Sequence, residues 1–265
     1  MRRTLLLIGA VAVLPALADA WPAETMVALS RDARRLLPRS LSRLLGEREA
    51  QVQEELRRMP PELIQALAVD LPSSRLRPET VAGMDAQIDR VEELLRTGRV
   101  SEGLVRLGGL LRVPADVSDP VLTGVPEGWP PGVTREYYAL FAANLDKMPV
   151  VLDDPTALQR TRKDLPGLWQ ALLDRSREQA PVIRTELFRG GRVVDHRLLD
   201  YRSPAWGVAS LAYSRAVTGI AATWLAVWRE ARGDTTHIPR AREVVPRDQP
   251  GAVAGDRRPP PPEAP

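Results

Sequence analysis

Apolar residues return at three- and four-residue intervals along nearly all of this chain, and that spacing confines it to a helical fold. Met26, Val27, Leu29, Ala33, Leu36 and Leu37 form one such stripe before Pro38, and Leu41, Leu44 and Leu45 resume it. Glu47 to Arg58 reads as a charged surface helix. Pro78-Glu79-Thr80 opens another, with Val81, Met84, Ile88, Val91, Leu94 and Leu95 on one face and Gly98 as its stop. Ser101-Glu102 begins a further helix that Pro114 and Pro120 kink or divide. Helices follow over 134–148 and 156–180, and Ser203-Pro204 caps a last long one that reaches Arg232 and is closed by Gly233. Its buried face is expected to carry Val208, Leu211, Val217, Ile220, Ala221, Trp224 and Trp228. The exceptions are a glycine- and proline-rich loop over 121–133, and Glu186 to His196, where Gly190-Gly191 suits the turn of a small hairpin. The expectation is an all-α, multi-helix single domain over 21–234, without internal repeats.

Both ends depart from that pattern. Met1-Arg2-Arg3 is a basic start, Thr4 to Leu17 is a short apolar core, and Ala18-Asp19-Ala20 offers the small residues that signal peptidase requires. Residues 1–20 therefore read as a signal peptide cleaved between Ala20 and Trp21, which makes the protein exported, either periplasmic or secreted. An uncleaved N-terminal membrane anchor is the alternative, although a spanning helix needs about 20 apolar residues. From Thr235 to Pro265 apolar periodicity disappears and prolines accumulate, ending in the run Pro259 to Pro262. This segment reads as a disordered proline-rich tail, acting as a spacer or as a proline-rich ligand.

Composition removes several functions. There is no cysteine, so neither disulfides nor thiolate ligands and nucleophiles are available. The 37 basic and 34 acidic residues nearly balance, and no basic block is interleaved with aromatics, so no nucleic-acid partner is indicated. Only two histidines occur, His196 and His237.

The segment with most chemical content is Leu107-Gly-Gly-Leu-Leu-Arg112-Val-Pro-Ala-Asp116-Val-Ser-Asp119-Pro120-Val-Leu122. It resembles the signature helix of the zinc-dependent phospholipase C and S1/P1 nuclease family, roughly L-G-x-x-x-H-Y-x-x-D-x-x-Q-P-x-H. The Leu-Gly pair, Asp116 and Pro120 match, whereas Arg112 and Leu122 stand at the two histidine positions. Other segments follow in the family's order. Trp21 matches the N-terminal tryptophan whose amino group and carbonyl ligate zinc in that family. Leu29 and Ala33 keep the spacing of its first helix, with Met26 in place of a histidine. Ala66-Leu67-Ala68-Val69-Asp70 resembles a strand-like element, with Leu67 at its histidine. Arg135-Glu-Tyr-Tyr-Ala139, followed by Phe141, aligns with an H-x-x-x-E/D helix, so Arg135 and Ala139 fall at ligand positions. The stretch from Leu211 through Trp228 to Gly233-Asp234 resembles the terminal helix of the phospholipases.

The resemblance implies a phospholipase C/P1 nuclease-like fold whose zinc cluster has lost its imidazoles, a pseudoenzyme with no cofactor. A trinuclear site needs several neutral nitrogen ligands, and two scattered histidines cannot supply them. A guanidinium at Arg112 or Arg135 repels a divalent ion and does not deprotonate. The vestigial cleft would comprise Trp21, Met26, Leu67, Arg112, Asp116, Leu122, Arg135 and Ala139, with Trp21 and Asp116 as the residual metal candidates. Such a protein is expected to act by binding a lipid, another phosphorylated or anionic ligand, or an envelope protein partner. The alternative is a residual metal-dependent phosphoester hydrolase, phospholipase C- or nuclease-like, using Trp21, Asp70, Asp116 and Asp119 around one cation.

Several residues admit two readings. Trp21 is either a remnant ligand or a core tryptophan, and Asp116 and Asp119 either hold a cation or pair with Arg112 or Arg106. His196, between Asp195 and Arg197 and distant along the chain from every family ligand position, is a carboxylate-oriented base or a solvated loop residue. Trp129 either offers an apolar face beside the cleft or packs its loop onto the body.

Overall fold

The computed structural model describes residues 21–58, the backbone of 69–70, and residues 75–124, 128–152 and 154–236. The expected signal peptide, Leu67 and the expected tail beyond residue 236 lie outside the described residues.

The described chain is helical, as the apolar spacing requires. In order it forms α1 (Ala23–Arg34), α2 (Arg39–Gly46) and α3 (Glu49–Arg57), then a short antiparallel pair of β1 (Val69–Asp70) and β2 (Arg75–Leu76). Next come α4 (Pro78–Arg96), α5 (Val100–Gly109), α6 (Arg112–Val117), α7 (Pro120–Thr123) and α8 (Val133–Asn144). Two 3₁₀ turns, Pro155–Gln159 and Arg162–Asp164, lead into α9 (Leu165–Leu187). The hairpin of β3 (Phe188–Arg189) and β4 (Arg192–Val193), a 3₁₀ turn His196–Leu198, and α10 (Pro204–Glu230) complete it.

Helix α10 is the axis around which the rest is arranged. Every residue from Ala216 to Trp228 is buried, so this helix is apolar on all sides rather than amphipathic. It packs against α9, α1 and α6 and against the 155–159 turn. A second layer is formed by α5, which packs against both α4 and α3. Burial departs from expectation at Leu211, which is 38% exposed because it lies, with Pro204, Gly207 and Arg215, on the one side of the N-terminal half of α10 that faces solvent. The helix terminates through Arg232, not through Gly233. Arg232 adopts the left-handed conformation (φ 59°), which lets the Gly233 N–H reach the Trp228 carbonyl at 2.8 Å. Gly233 is needed for a different reason: a Cβ there would lie 2.0 Å from the Trp228 ring.

Other helix boundaries differ from the sequence expectation. The expected helix over 156–180 begins only at Leu165, and it passes through Pro181 to Leu187. Leu173, Ser176, Ala180, Ile183 and Leu187 are all buried, and this continuous stripe outweighs the one backbone hydrogen bond that Pro181 cannot make. The helix begun at 101 breaks first after Gly109 rather than at Pro114, which sits in the opening turn of α6 where proline is tolerated. Pro120 starts α7, as its missing N–H favours. The hairpin forms as expected, with Gly190 (φ 57°) and Gly191 (φ 76°) at its turn.

Candidate functional site

The short helices α6 and α7 bring the chemical groups of the 107–122 segment together beneath α8. Gly108 is dictated by packing: an added Cβ would stand 2.3 Å from Val52 Cγ2, so α3 and α5 could not approach as they do. From that contact the chain turns at Leu110-Leu111 and presents Arg112 and Asp116 one helical turn apart on α6. Arg112 Nε donates to Asp116 Oδ2 at 2.6 Å. The Asp116 side chain is 2% exposed and that of Arg112 is 13% exposed, so the pair lies at the edge of the core.

Asp119 is fully buried and caps α7, accepting a hydrogen bond from the Val121 N–H at 2.9 Å. Tyr138 of α8 donates its phenol to the other carboxylate oxygen at 2.7 Å. Burial pushes the Asp119 carboxyl up to about 6, against the opposing pull of the Tyr138 bond and of the Val121 and Leu122 N–H groups. Burial, reinforced by the charge on Asp119, raises the phenols of Tyr137 and Tyr138 well above their ordinary range. The Tyr137 hydroxyl is enclosed with no hydrogen-bond partner among the described residues.

Trp21 belongs to the same neighbourhood. Its Nε1–H donates to the Ala115 carbonyl at 2.8 Å, and its ring meets Phe141 edge-on at 4.7 Å. With 2% exposure, its indole is a core group that ties the start of the described chain to α6 and α8. Met26 is likewise buried in the core, and Leu122 is a half-buried packing residue. Trp129 donates to the Val121 carbonyl at 2.5 Å and packs against the core, which holds its loop on the body. Ala139 is half-buried next to Tyr138 on α8.

Arg135 does not join this group. Its side chain is 79% exposed and pairs with Glu136 at 3.1 Å, whereas Arg112 is turned onto Asp116. The two guanidiniums thus serve different carboxylates and form no shared clamp.

Glu136 leads to a second cluster that sequence spacing concealed. Its Oε2 lies 2.8 Å from His196 Nδ1 and accepts the His196 backbone N–H at 3.1 Å. His196, distant along the chain from the family's ligand positions, therefore sits beside the neighbour of one of them. Asp195 Oδ1 lies 3.6 Å from the same ring nitrogen, but Asp195 is chiefly engaged by Arg197 Nε at 3.0 and 3.1 Å. The carboxylate that orients His196 is Glu136, not the adjacent Asp195. Hydrogen bonds from His196 hold Glu136 below its ordinary value, and the Arg197 bonds lower Asp195 well below its own. One donor atom each from Glu136, Asp195 and His196 lies within 4.8 Å of the others.

Sequence reasoning also missed Asp32, a fully buried carboxylate on the apolar stripe of α1. Tyr213 of α10 donates to it at 2.7 Å, and Arg31 stands 3.3 Å away.

The donor chemistry at the family's ligand positions can be compared with what zinc takes, which is imidazole, thiolate or carboxylate. Met26, Leu122 and Ala139 offer none of these, and Arg112 and Arg135 bring positive charge. Of the carboxylates beside them, Asp116 holds Arg112, and Asp119 holds Tyr138 and the α7 N-terminus. These residues do not fit a zinc cluster. No family model, no curated protein and no solved structure matches the chain.

Proposed function

We propose that this chain is an exported, catalytically inactive relative of the zinc-dependent phospholipases C and S1/P1 nucleases, and that it acts by binding. The observation that carries the reading is the ion pair between Arg112 and Asp116. An arginine at a position where the resembled family places a zinc-ligating histidine engages the carboxylate that the family motif retains. Removing water from a carboxylate is unfavourable unless a partner compensates, and Arg112 supplies that partner without a metal. Tyr138 offsets only part of the same cost for Asp119. A former ligand shell converted into packed, internally bonded core keeps the scaffold while giving up the Lewis acid. The ligands such a protein would serve are a lipid, another anionic or phosphorylated molecule, or a protein of the envelope.

The test is hydrolysis of bis(p-nitrophenyl) phosphate by the purified protein with and without added zinc. The proposal expects no turnover above the buffer rate in either case. Zinc-dependent turnover abolished by Asp116→Ala would support the competing reading, a residual metal-dependent phosphoester hydrolase. A cation bound at Glu136, Asp195 and His196 would give turnover sensitive to His196→Ala instead. That cluster could admit a cation only if Arg197 released Asp195.

A further inference from the structure

On the side of α10 served by the two 3₁₀ turns, the protein contains a cavity of about 390 Å³. Its walls include Asp154, Arg160, Lys163, Asp164 and Arg175, with Gly219 of α10 opposite. The volume lies toward the small end of the range for small-molecule sites, roughly 300–1,000 Å³.

The charges lining this cavity have been sorted by the local fold. Asp154 caps the first 3₁₀ turn, taking the Thr156 N–H at 3.0 Å and the Thr156 hydroxyl at 2.6 Å. Asp164 closes a capping box with Thr161, accepting its N–H and its hydroxyl, each at 2.8 Å. Both carboxylates are thus turned onto backbone and hydroxyl donors. The Thr156 bonds, with the Arg160 and Arg175 charges, also hold Asp154 below its ordinary value, so it remains ionised beside two guanidiniums.

The cations are distributed differently. Arg162 faces away, onto Asp89 at 2.6 Å and Glu92 at 3.1 Å, and so anchors the segment to α4. Arg229 of α10 donates to the Leu158 carbonyl at 2.8 Å and fixes the first turn from the other side. Arg160 has only a loose contact with Asp154 at 3.8 Å, and Lys163 pairs with no carboxylate among the described residues. Between two anchored turns, then, Arg160 stands at the cavity only loosely paired and Lys163 pairs with no carboxylate among the described residues, with the charge of Arg175 on α9 beside them. The cavity also meets the first turn of α9, at Gly167, where the helix dipole favours an anion.

We propose that this cavity binds the phosphate of a phosphomonoester, held by Arg160 and Lys163 between α9, α10 and the two 3₁₀ turns. A dianionic phosphate offers enough acceptor oxygens for a guanidinium and an ammonium at once. The site is separate from the Trp21–Asp116 centre and needs no metal, so it stands or falls independently of the reading given above.

The experiment is calorimetric titration of the purified protein with glycerol 3-phosphate in the presence of a chelator. It is repeated on the Arg160→Ala/Lys163→Ala double variant and on Arg57→Ala, an exposed arginine elsewhere. Both altered side chains of the double variant are exposed, and circular dichroism checks that its fold is intact. The expected result is saturable binding that the double variant weakens about tenfold or more and Arg57→Ala leaves unchanged. A parallel arm uses vesicles of phosphatidylcholine with and without phosphatidic acid. Sedimentation only with phosphatidic acid, lost in the double variant, would place the same phosphate on a lipid headgroup. No saturation by glycerol 3-phosphate up to about 10 mM together with no vesicle binding overturns the proposal. Binding that the folded double variant retains in full also overturns it.

Discussion

Arg112 and Asp116 face each other across one turn of α6 at 2.6 Å, in a place where burial would otherwise make the carboxylate unstable. The pair gives a buried carboxylate its counter-charge within one short helix, and the proposed loss of a metal site rests on it. Arg112→Met keeps the aliphatic stem and removes the charge that Asp116 faces. The expected loss is about 2 kcal/mol, less than for a fully buried pair because Arg112 keeps some solvent contact. Urea denaturation measures it, and a change under about 0.5 kcal/mol, within the range of an ordinary surface substitution, would mean that the pair is not what stabilises Asp116.

Asp119 makes a prediction about pH. Its carboxyl titrates near 6 when folded and near its ordinary 3.8 when unfolded, so between these values the folded state holds more protons. Stability from this group is therefore complete below about 3.8 and is lost as pH rises through about 6. Relative to Asp119→Asn, the unaltered protein should gain on the order of 2–3 kcal/mol on acidification from pH 7 to 4. Parallel stability curves for the two proteins would show that Asp119 is not the titrating group.

Tyr137 should be replaceable with benefit. Its hydroxyl is enclosed without a hydrogen-bond partner among the described residues, while its ring packs on Phe141 at 5.1 Å. Tyr137→Phe keeps the ring and removes a desolvated polar group, so stability should rise by about 1 kcal/mol. A thermal melt decides, and a clear drop in midpoint would reveal a partner for that hydroxyl.

Glu136 joins α8 to the segment after the β3–β4 hairpin through two contacts with His196. Because Glu136 is held below its ordinary 4.5, its contribution is present above that value and is lost as pH falls through the lowered folded value. Glu136→Ala should cost about 1 kcal/mol and accelerate amide hydrogen exchange around residues 194–199. Unchanged exchange there would show that the turn is held by something else.

What the sequence discloses and what it hides follow from distance along the chain. The helices α1, α4 and α10, the Ser203 cap and the Gly190-Gly191 turn are local patterns and form as expected, although Val27 and Leu211 of the expected stripes are exposed. The Arg112–Asp116 pair was legible too, being one helical turn. By contrast, Tyr138 and Asp119 are 19 residues apart, Glu136 and His196 are 60, and Asp32 and Tyr213 are 181. Each is a bond between separate helices or between a helix and a turn, and no periodicity encodes it. The passage of α9 through Pro181 is hidden for a related reason, since the burial of Ile183 and Leu187 comes from neighbours that a local rule does not weigh. The sorting of charge around the cavity was likewise hidden, because the capping role of Asp154 and Asp164 appears only once the 3₁₀ turns are formed.

The central claim is that the centre around Trp21, Arg112, Asp116 and Asp119 is a packed core rather than a metal site. Elemental analysis of the protein, purified without chelators and dialysed against zinc and then against buffer, tests this most directly. The account predicts a folded protein with far less than one zinc per chain. Stoichiometric zinc that survives dialysis and is lost on Asp116→Ala would contradict it, because the ion would then occupy the place assigned here to Arg112.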